Sequence, residues 1–153
     1  MKYRIYLDDI RTPLNPQLEG VPEWTVVRSY DEFINAVLEI GMENIEVISL
    51  DHDLGPSAMN EYYNNVHPNY TLDYDNITEK TGYDVAKWLV LEAIRLDIKL
   101  PEVYVHSANP IGSANIMGYI NNYLMNCHLP QTCTRVRIPH KVDGTNYENN
   151  ELK

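Results

Sequence analysis

The sequence has only two cysteines, few basic residues and no long apolar run, and each shortage excludes a class of protein. Cys127 and Cys133 lack CxxC spacing, so we expect two unpaired thiols and no disulfide scaffold. Twelve Lys and Arg against 22 Asp and Glu give a net charge of −10, which argues against extended nucleic-acid binding. No apolar run approaches the about 20 residues of a membrane span, and the N-terminus has no signal-peptide pattern. We therefore expect a cytoplasmic protein without a membrane partner.

The length of 153 residues and the hydrophobic pattern predict a single α/β domain over 1–153. Apolar segments rich in β-formers predict five strands, at 4–7, 24–28, 45–50, 102–106 and 134–138. Helical periodicity follows the second, third and fourth of these strands. Such alternation predicts a three-layer, doubly wound parallel sheet. The proline-rich segment 11–22 is expected to be a loop, 56–80 an insertion without periodicity, and the tail from His140 frayed.

Three predicted strands end abruptly at polar side chains. Asp8 and Asp9 follow the first strand, 51–53 (Asp-His-Asp) follows the third, and His106 and Ser107 follow the fourth. Ligands bind at the carboxyl ends of strands in doubly wound sheets, so these groups are expected to meet in space. Side chains alternate along a strand, so one site can use all of 51–53 only if the chain turns directly after the third strand.

Clustered carboxylates favour a hard divalent cation such as Mg²⁺ or Mn²⁺, although solvated acids at a strand end are the simpler alternative. His52 and His106 can exchange protons near neutral pH, bind a metal or serve only as packing residues. Arg11 has the reach of a phosphate clamp, or it pairs on the surface with Asp9 or Glu19.

Other polar groups near the strand ends also allow two interpretations. Ser107 and Asn109 offer donors to phosphate oxygens, or they only shape the turn before Pro110. The tyrosines of 56–80 indicate either a lid that stacks on a base or a solvated surface loop.

Four motifs together resemble a known family: Leu-Asp-Asp-x-Arg-x-Pro from Leu7, Ser-Leu-Asp-His-Asp-Leu-Gly from Ser49, Thr-Gly-Tyr-Asp-Val-x-x-Trp from Thr81, and His-Ser-Ala-Asn-Pro from His106. They are similar to the receiver fold of response regulators and, more closely, to cyclic-phosphate processing receiver domains, over residues 3 to about 125. The resemblance implies strand order 2-1-3-4-5, with Asp8, Asp9 and Asp51 holding the metal. The family's characteristic residues fall on Asp8, Asp9, Arg11, Asp51, His52, Asp53, His106, Ser107 and Asn109.

The departures from ordinary receivers are informative. The Lys that precedes a Pro after strand five is replaced by Ile138, which leaves Arg137, His140 or Lys141 as substitutes. The first and last receiver helices are degenerate, so the sheet face they would cover is expected to be covered by 11–22 with the tail, or by a second copy in a homodimer. The imidazoles at positions 52 and 106 favour hydrolysis over signalling.

The resulting hypothesis is a metal-dependent phosphoesterase acting on a small cyclic phosphate, either a cyclic nucleotide or an RNA 2′,3′-cyclic phosphate end. The proposed catalytic groups are His52, Asp53, His106, Arg11, Ser107 and Asn109. One alternative is a non-catalytic signalling or binding module, phosphorylated on Asp51. The other is a small partner-binding protein whose acidic residues contribute only surface charge.

Overall fold

The structure, a computed structural model, describes residues 2–15 and 19–142. Its strands are β1 (Tyr3–Leu7), β2 (Arg11–Pro13), β3 (Trp24–Val27), β4 (Ile45–Leu50), β5 (Glu102–Val105), β6 (Thr134–Arg135) and β7 (His140–Val142). Its α-helices are α1 (Tyr30–Ile40), α2 (Pro56–Glu61), α3 (His67–Asn69), α4 (Gly82–Leu96) and α5 (Pro110–Asn126). A π-helical segment covers Tyr62–Val66, and 3₁₀ turns cover Met42–Asn44 and Tyr74–Asn76.

Five strands form one parallel sheet in the order β3-β1-β4-β5-β6. Numbered along the chain without β2, this is the order 2-1-3-4-5, so the predicted receiver-like α/β fold is confirmed. The nearly continuous apolar character of β4 agrees with its central position in the sheet, where four of its six residues are buried.

Helices α1, α4 and α5 share one hydrophobic core with the sheet. Six strand residues of this core alternate along β1, β4 and β5 and therefore point to one face. They are Ile5, Leu7, Ile48, Leu50, Val103 and Val105. Helix α1 begins where the Ser29 side chain accepts a hydrogen bond from the backbone N–H of Glu32, and α4 begins with a capping box between Thr81 and Asp84. Within the described residues, no helix lies between β1 and β3 or after β6.

Two segments predicted to be irregular form an antiparallel ribbon, and the sheet face opposite the shared core is buried at β1 and β4. The loop prediction was wrong for Arg11–Pro13, and the frayed-tail prediction was wrong for His140–Val142, because these segments pair as antiparallel strands. Tyr6 and Ser49 on this face are fully buried. The expectation that 11–22 with the tail, or a second copy, covers this face stays a prediction; residues 16–18 and 143–153, which it includes, lie outside the described residues.

The insertion 56–80 is folded around a buried carboxylate. Glu61 is 3% exposed and accepts hydrogen bonds from Asn65 Nδ2 at 2.8 Å, Asn76 Nδ2 at 2.9 Å and the Asp73 backbone N–H at 2.9 Å. Burial raises the pKa of Glu61, but these hydrogen bonds outweigh burial and hold the pKa below its ordinary value. Polar contacts instead of hydrophobic periodicity therefore define this segment.

The described part of the chain has no helix with the length and apolar character that crossing a membrane requires. Both cysteines are free thiols: Cys127 is exposed and Cys133 is buried. Burial raises the pKa of the Cys133 thiol to about 12, so this thiol is held in its unreactive protonated form.

Candidate functional site

The strand register brings three polar residues to one level at the carboxyl edge of the sheet. Leu7 pairs with Leu50 and Leu50 pairs with Val105, so the next residues, Asp8, Asp51 and His106, leave the sheet side by side. The backbone ladder extends one step beyond the strands: Asp51 N donates to Leu7 O and His106 N to Leu50 O, both at 2.9 Å. The backbone positions of these residues are therefore fixed by the sheet itself.

An acidic cluster lies at this edge. Asp8, Asp9 and Asp51 each present a carboxylate oxygen, and these oxygens lie within 4.8 Å of one another. Arg11, only 1% exposed, lies beside them, with Nε 2.7 Å from Asp8 Oδ2 and Nη2 3.6 Å from Asp51 Oδ1. Burial lowers the pKa of Arg11, but Asp8 and Asp51 more than compensate, so the pKa lies above its ordinary value. Arg11 is thus a buried counter-ion of the cluster.

Asp8 is the organising carboxylate of this cluster. Its Oδ1 accepts from the backbone N–H groups of Ile10 at 3.0 Å and Arg11 at 2.8 Å. Its Oδ2 accepts from Arg11 Nε and lies 3.1 Å from His106 Nε2. A carboxylate offers about four lone-pair positions, so any further ligand must share Asp8 with these groups.

His106 is held on three sides. Its ring stacks on Tyr6 with centroids 4.2 Å apart and planes inclined by 8°. Nδ1 lies 2.7 Å from Ser49 Oγ, and Nε2 faces the Asp8 carboxylate. An ionised carboxylate only accepts hydrogen bonds, so Nε2 carries a proton toward Asp8. Tyr6 and Ser49 alternate with the apolar core residues of β1 and β4, which places this network on the sheet face away from the shared core.

A second network starts immediately after the acidic cluster. His52 Nδ1 lies 2.7 Å from Asp53 Oδ1, and His52 Nε2 lies 2.9 Å from the hydroxyl of Tyr74. Asn109 Nδ2 donates to Asp53 Oδ1 at 3.2 Å, and Asn115 Nδ2 donates to the Tyr74 hydroxyl at 3.0 Å. His52 and Asn109 are fully buried and Asp53 is 1% exposed. The backbone N–H of His52 donates to Asp51 Oδ1 at 2.8 Å, which links the two networks.

The segment after β5 contributes positioning contacts. Asn109 caps α5 by accepting from Gly112 N at 2.9 Å, and Ser107 Oγ accepts from Asn109 N at 3.1 Å. The Ser107 carbonyl accepts from Nε and Nη2 of Arg135, at 3.0 and 2.7 Å. Ser107 therefore lies between the networks, and Arg135 is a basic residue near this edge that the sequence analysis did not consider.

Two glycines allow helices to pack against the site. A Cβ at Gly82 would lie 2.0 Å from the carbonyl oxygen of Asp51, so the first turn of α4 directly contacts the end of β4. A Cβ at Gly112 would lie 2.3 Å from Cγ of His52, so the first turn of α5 contacts the imidazole. The motif from Thr81 thus combines a helix cap with a position where only glycine fits without movement of its neighbours.

The structure divides the predicted site residues between the two networks. Strand β4 ends at Leu50 and the chain turns, so Asp51 joins the acidic cluster while His52 and Asp53 do not. The cluster network holds Asp8, Asp9, Arg11, Asp51 and His106, and the second holds His52, Asp53 and Asn109. Arg11 contacts Asp8 and Asp51 in the interior and not Asp9 or Glu19 on the surface.

Two further participants were missed or assigned differently from the sequence. Ser49, the partner of His106, lies within an apolar strand, where the sequence does not single it out. Tyr74 was considered only as a stacking residue. Its position in an insertion without periodicity gave no signal that it contacts His52.

The acidic cluster fits a hard divalent cation by its chemistry. All three candidate ligands are carboxylates, and Mg²⁺ and Mn²⁺ prefer oxygen ligands. One guanidinium beside three ionised carboxylates leaves two negative charges, which a divalent cation neutralises. Asp8, Asp9 and Asp51 are therefore the residues that would hold such an ion.

Comparison with protein families identifies the family. The sequence model of the cyclic-phosphate processing receiver domain matches residues 3–122, which include both networks, whereas Arg135 lies beyond the match. Comparisons with curated proteins and with solved structures give no match. The strand order, the acidic cluster and this match agree, and the chain belongs to the family of cyclic-phosphate processing receiver domains.

Proposed function

We propose that the protein is a metal-dependent phosphoesterase that hydrolyses a small cyclic phosphate. The observation that carries this proposal is the acidic cluster, in which three carboxylate oxygens lie within 4.8 Å of one another beside the buried Arg11. The family's association with cyclic-phosphate processing supports the substrate class. The net charge of −10 favours a free nucleotide or a short end over a long nucleic acid.

Asp8, Asp9 and Asp51 would hold Mg²⁺ or Mn²⁺, which would act as a Lewis acid toward the phosphoryl group. Arg11 holds two of these carboxylates together by opposing their mutual repulsion, and its guanidinium is the proposed contact for a phosphate oxygen at the cluster. Its planar fork suits bidentate contacts to phosphate.

The proposed acid–base groups come from both networks. His106 carries a proton on Nε2 beside the cluster, which suits a general acid that protonates the leaving oxygen. His52, paired with Asp53, is the proposed general base, since the carboxylate orients the ring. Ser107 and Asn109 are proposed to stabilise charge on the phosphate oxygens; Asn109 also holds Asp53 in place.

The test is incubation of the protein with 2′,3′-cyclic and 3′,5′-cyclic nucleotides and Mg²⁺ or Mn²⁺, with ring opening followed by ³¹P NMR. We expect turnover of at least one substrate class, abolished by EDTA. Asp51→Asn should remove most of the activity, and His106→Ala should lower kcat by about 10²- to 10⁴-fold, the usual contribution of a general acid. Asp75→Asn, which changes an exposed acid of the insertion, is the matched control and should keep full activity.

Two outcomes would contradict the proposal. One is the absence of turnover with every substrate and both metals. The other is a stable mass increase of one phosphoryl group after treatment with acetyl phosphate, lost in Asp51→Asn and unaccompanied by hydrolysis, because such a protein would be a signalling receiver.

A further inference from the structure

Tyr74 is placed against His52 by the folded insertion. The buried Glu61 binds the backbone N–H of Asp73 and the side chain of Asn76, which flank Tyr74 in its 3₁₀ turn. The ring of Tyr74 stacks on Tyr83 of α4, with centroids 5.4 Å apart and planes inclined by 23°. Contacts on both sides therefore fix where the Tyr74 hydroxyl lies.

The hydrogen bonds around His52 determine which ring nitrogen carries the proton. Asn109 must present its NH₂ group to Asp53, because its oxygen already accepts from Gly112 N. The Asp53 carboxylate only accepts, and it lies 2.7 Å from His52 Nδ1, closer than the 3.5 Å of Asn109 Nδ2, so Nδ1 donates its proton to Asp53.

The other ring nitrogen faces Tyr74. Asn115 donates its NH₂ group to the Tyr74 oxygen, so the Tyr74 proton is directed at His52 Nε2. Burial raises the pKa of Tyr74 to about 12, so the hydroxyl keeps this proton at neutral pH. Nε2 is consequently an acceptor.

We propose that Tyr74 is a positioning residue for His52, holding the imidazole with its proton on Nδ1 and occupying its Nε2 lone pair. His52 and Asp53 are buried, whereas Tyr74 is half-buried and lines a cavity of about 280 Å³ with Tyr83 and Lys87. Of the His52–Asp53–Tyr74 chain, Tyr74 is the member that reaches this cavity. Any proton that His52 takes up at Nε2 comes from the Tyr74 hydroxyl, whose oxygen accepts a replacement proton from the cavity side. The insertion therefore supplies the residue through which the buried imidazole exchanges protons with the surface.

The catalytic meaning of this inference rests on the proposed function, whereas the position of the proton does not. The test is ¹H–¹⁵N correlation of the imidazole nitrogens in the unliganded protein, without metal or substrate. The His52 signals among the five histidines are assigned by their loss in His52→Gln. We expect the proton on Nδ1 and an Nε2 resonance shifted by a hydrogen bond.

Tyr74→Phe removes only the hydroxyl, and it should move the Nε2 resonance to the position of a free imine nitrogen while the proton stays on Nδ1. Tyr70→Phe is the matched control, because Tyr70 lies in the same insertion but is 69% exposed, and it should leave the His52 signals unchanged. In an active enzyme, Tyr74→Phe should lower kcat at least tenfold with little change in KM.

A proton on Nε2 in the wild-type protein, or an Nε2 signal that Tyr74→Phe does not move, would overturn the inference. Neither result would affect the hydrolysis assay. Conversely, an inactive protein with the expected His52 signals would refute the proposed function and leave the positioning role intact.

Discussion

Removal of the Arg11 charge tests whether this guanidinium is the counter-ion that holds the acidic cluster together. Arg11→Met keeps most of the length of the side chain but leaves Asp8 and Asp51 facing each other in the interior. Both carboxylates are fully buried and Arg11 is 1% exposed, so solvent cannot replace the lost interaction. Breaking a buried ion pair in this way costs about 3–5 kcal/mol, a large share of the about 5–15 kcal/mol that stabilises a typical domain.

The measurement is urea unfolding at pH 7 in EDTA, followed by circular dichroism. With a slope of about 2 kcal/mol per molar urea, the expected loss lowers the midpoint by about 1.5–2.5 M. Repeating the titration in Mg²⁺ tests the cluster further, because a ligand that binds the folded state raises stability by about 2.7 kcal/mol at one hundred times its Kd. The gain from Mg²⁺ should be larger in Arg11→Met than in wild type, because the variant has one more uncompensated negative charge.

Arg95→Met provides a matched control. The Arg95–Glu92 pair has the same three-residue spacing and the same 2.7 Å distance as the Arg11–Asp8 pair, but the Arg95 side chain is 66% exposed. Because exposed pairs contribute little, its midpoint should stay close to that of wild type. If Arg11→Met shifts the midpoint no more than Arg95→Met, Arg11 is not a buried counter-ion.

Two further predictions concern the supports of the second network. Gly112→Ala should destabilise the protein by about 1–3 kcal/mol in thermal unfolding, because the new methyl group meets the His52 ring. The control Gly118→Ala lies in the same helix, where a methyl group meets no atom within 4 Å, and it should be neutral or stabilising in the same measurement. The low pKa of Glu61 stabilises the fold above the ordinary carboxyl pKa, and this contribution is lost as the pH falls through the lower folded-state pKa. Glu61→Gln should therefore cost about 2 kcal/mol at pH 7 and progressively less toward pH 3, and a cost that does not change with pH would contradict this explanation.

The sequence was sufficient to predict the sheet and its carboxyl edge. Apolar strands that stop at Asp8, Asp51 and His106 carry a local signal, and parallel pairing brings their ends together without further information. The capping motif at Thr81 is equally local, because the residues that begin a helix are neighbours in the chain.

The remaining features depend on contacts between distant segments. The strands β2 and β7 have three residues each and are separated by most of the chain, so neither shows a readable alternation. Tyr74 reaches His52 because Glu61 gathers polar groups of the insertion, and such a scaffold leaves no hydrophobic period. Arg11 is likewise buried because it contacts the residues that follow three strands: Asp8 after β1, Asp51 after β4 and the His106 carbonyl after β5.

One strand of the antiparallel ribbon, β7, lies beyond the part of the chain that matches the family. The family match ends at residue 122, inside α5, but β6 forms the edge of the sheet and β7 pairs with the strand that carries Arg11. A recombinant protein cut at the end of the matched region would lose the edge strand, the ribbon partner and Arg135 together. The smallest stretch that keeps all the contacts of Arg11 and Ser107 extends to Val142, twenty residues beyond the point where sequence similarity stops.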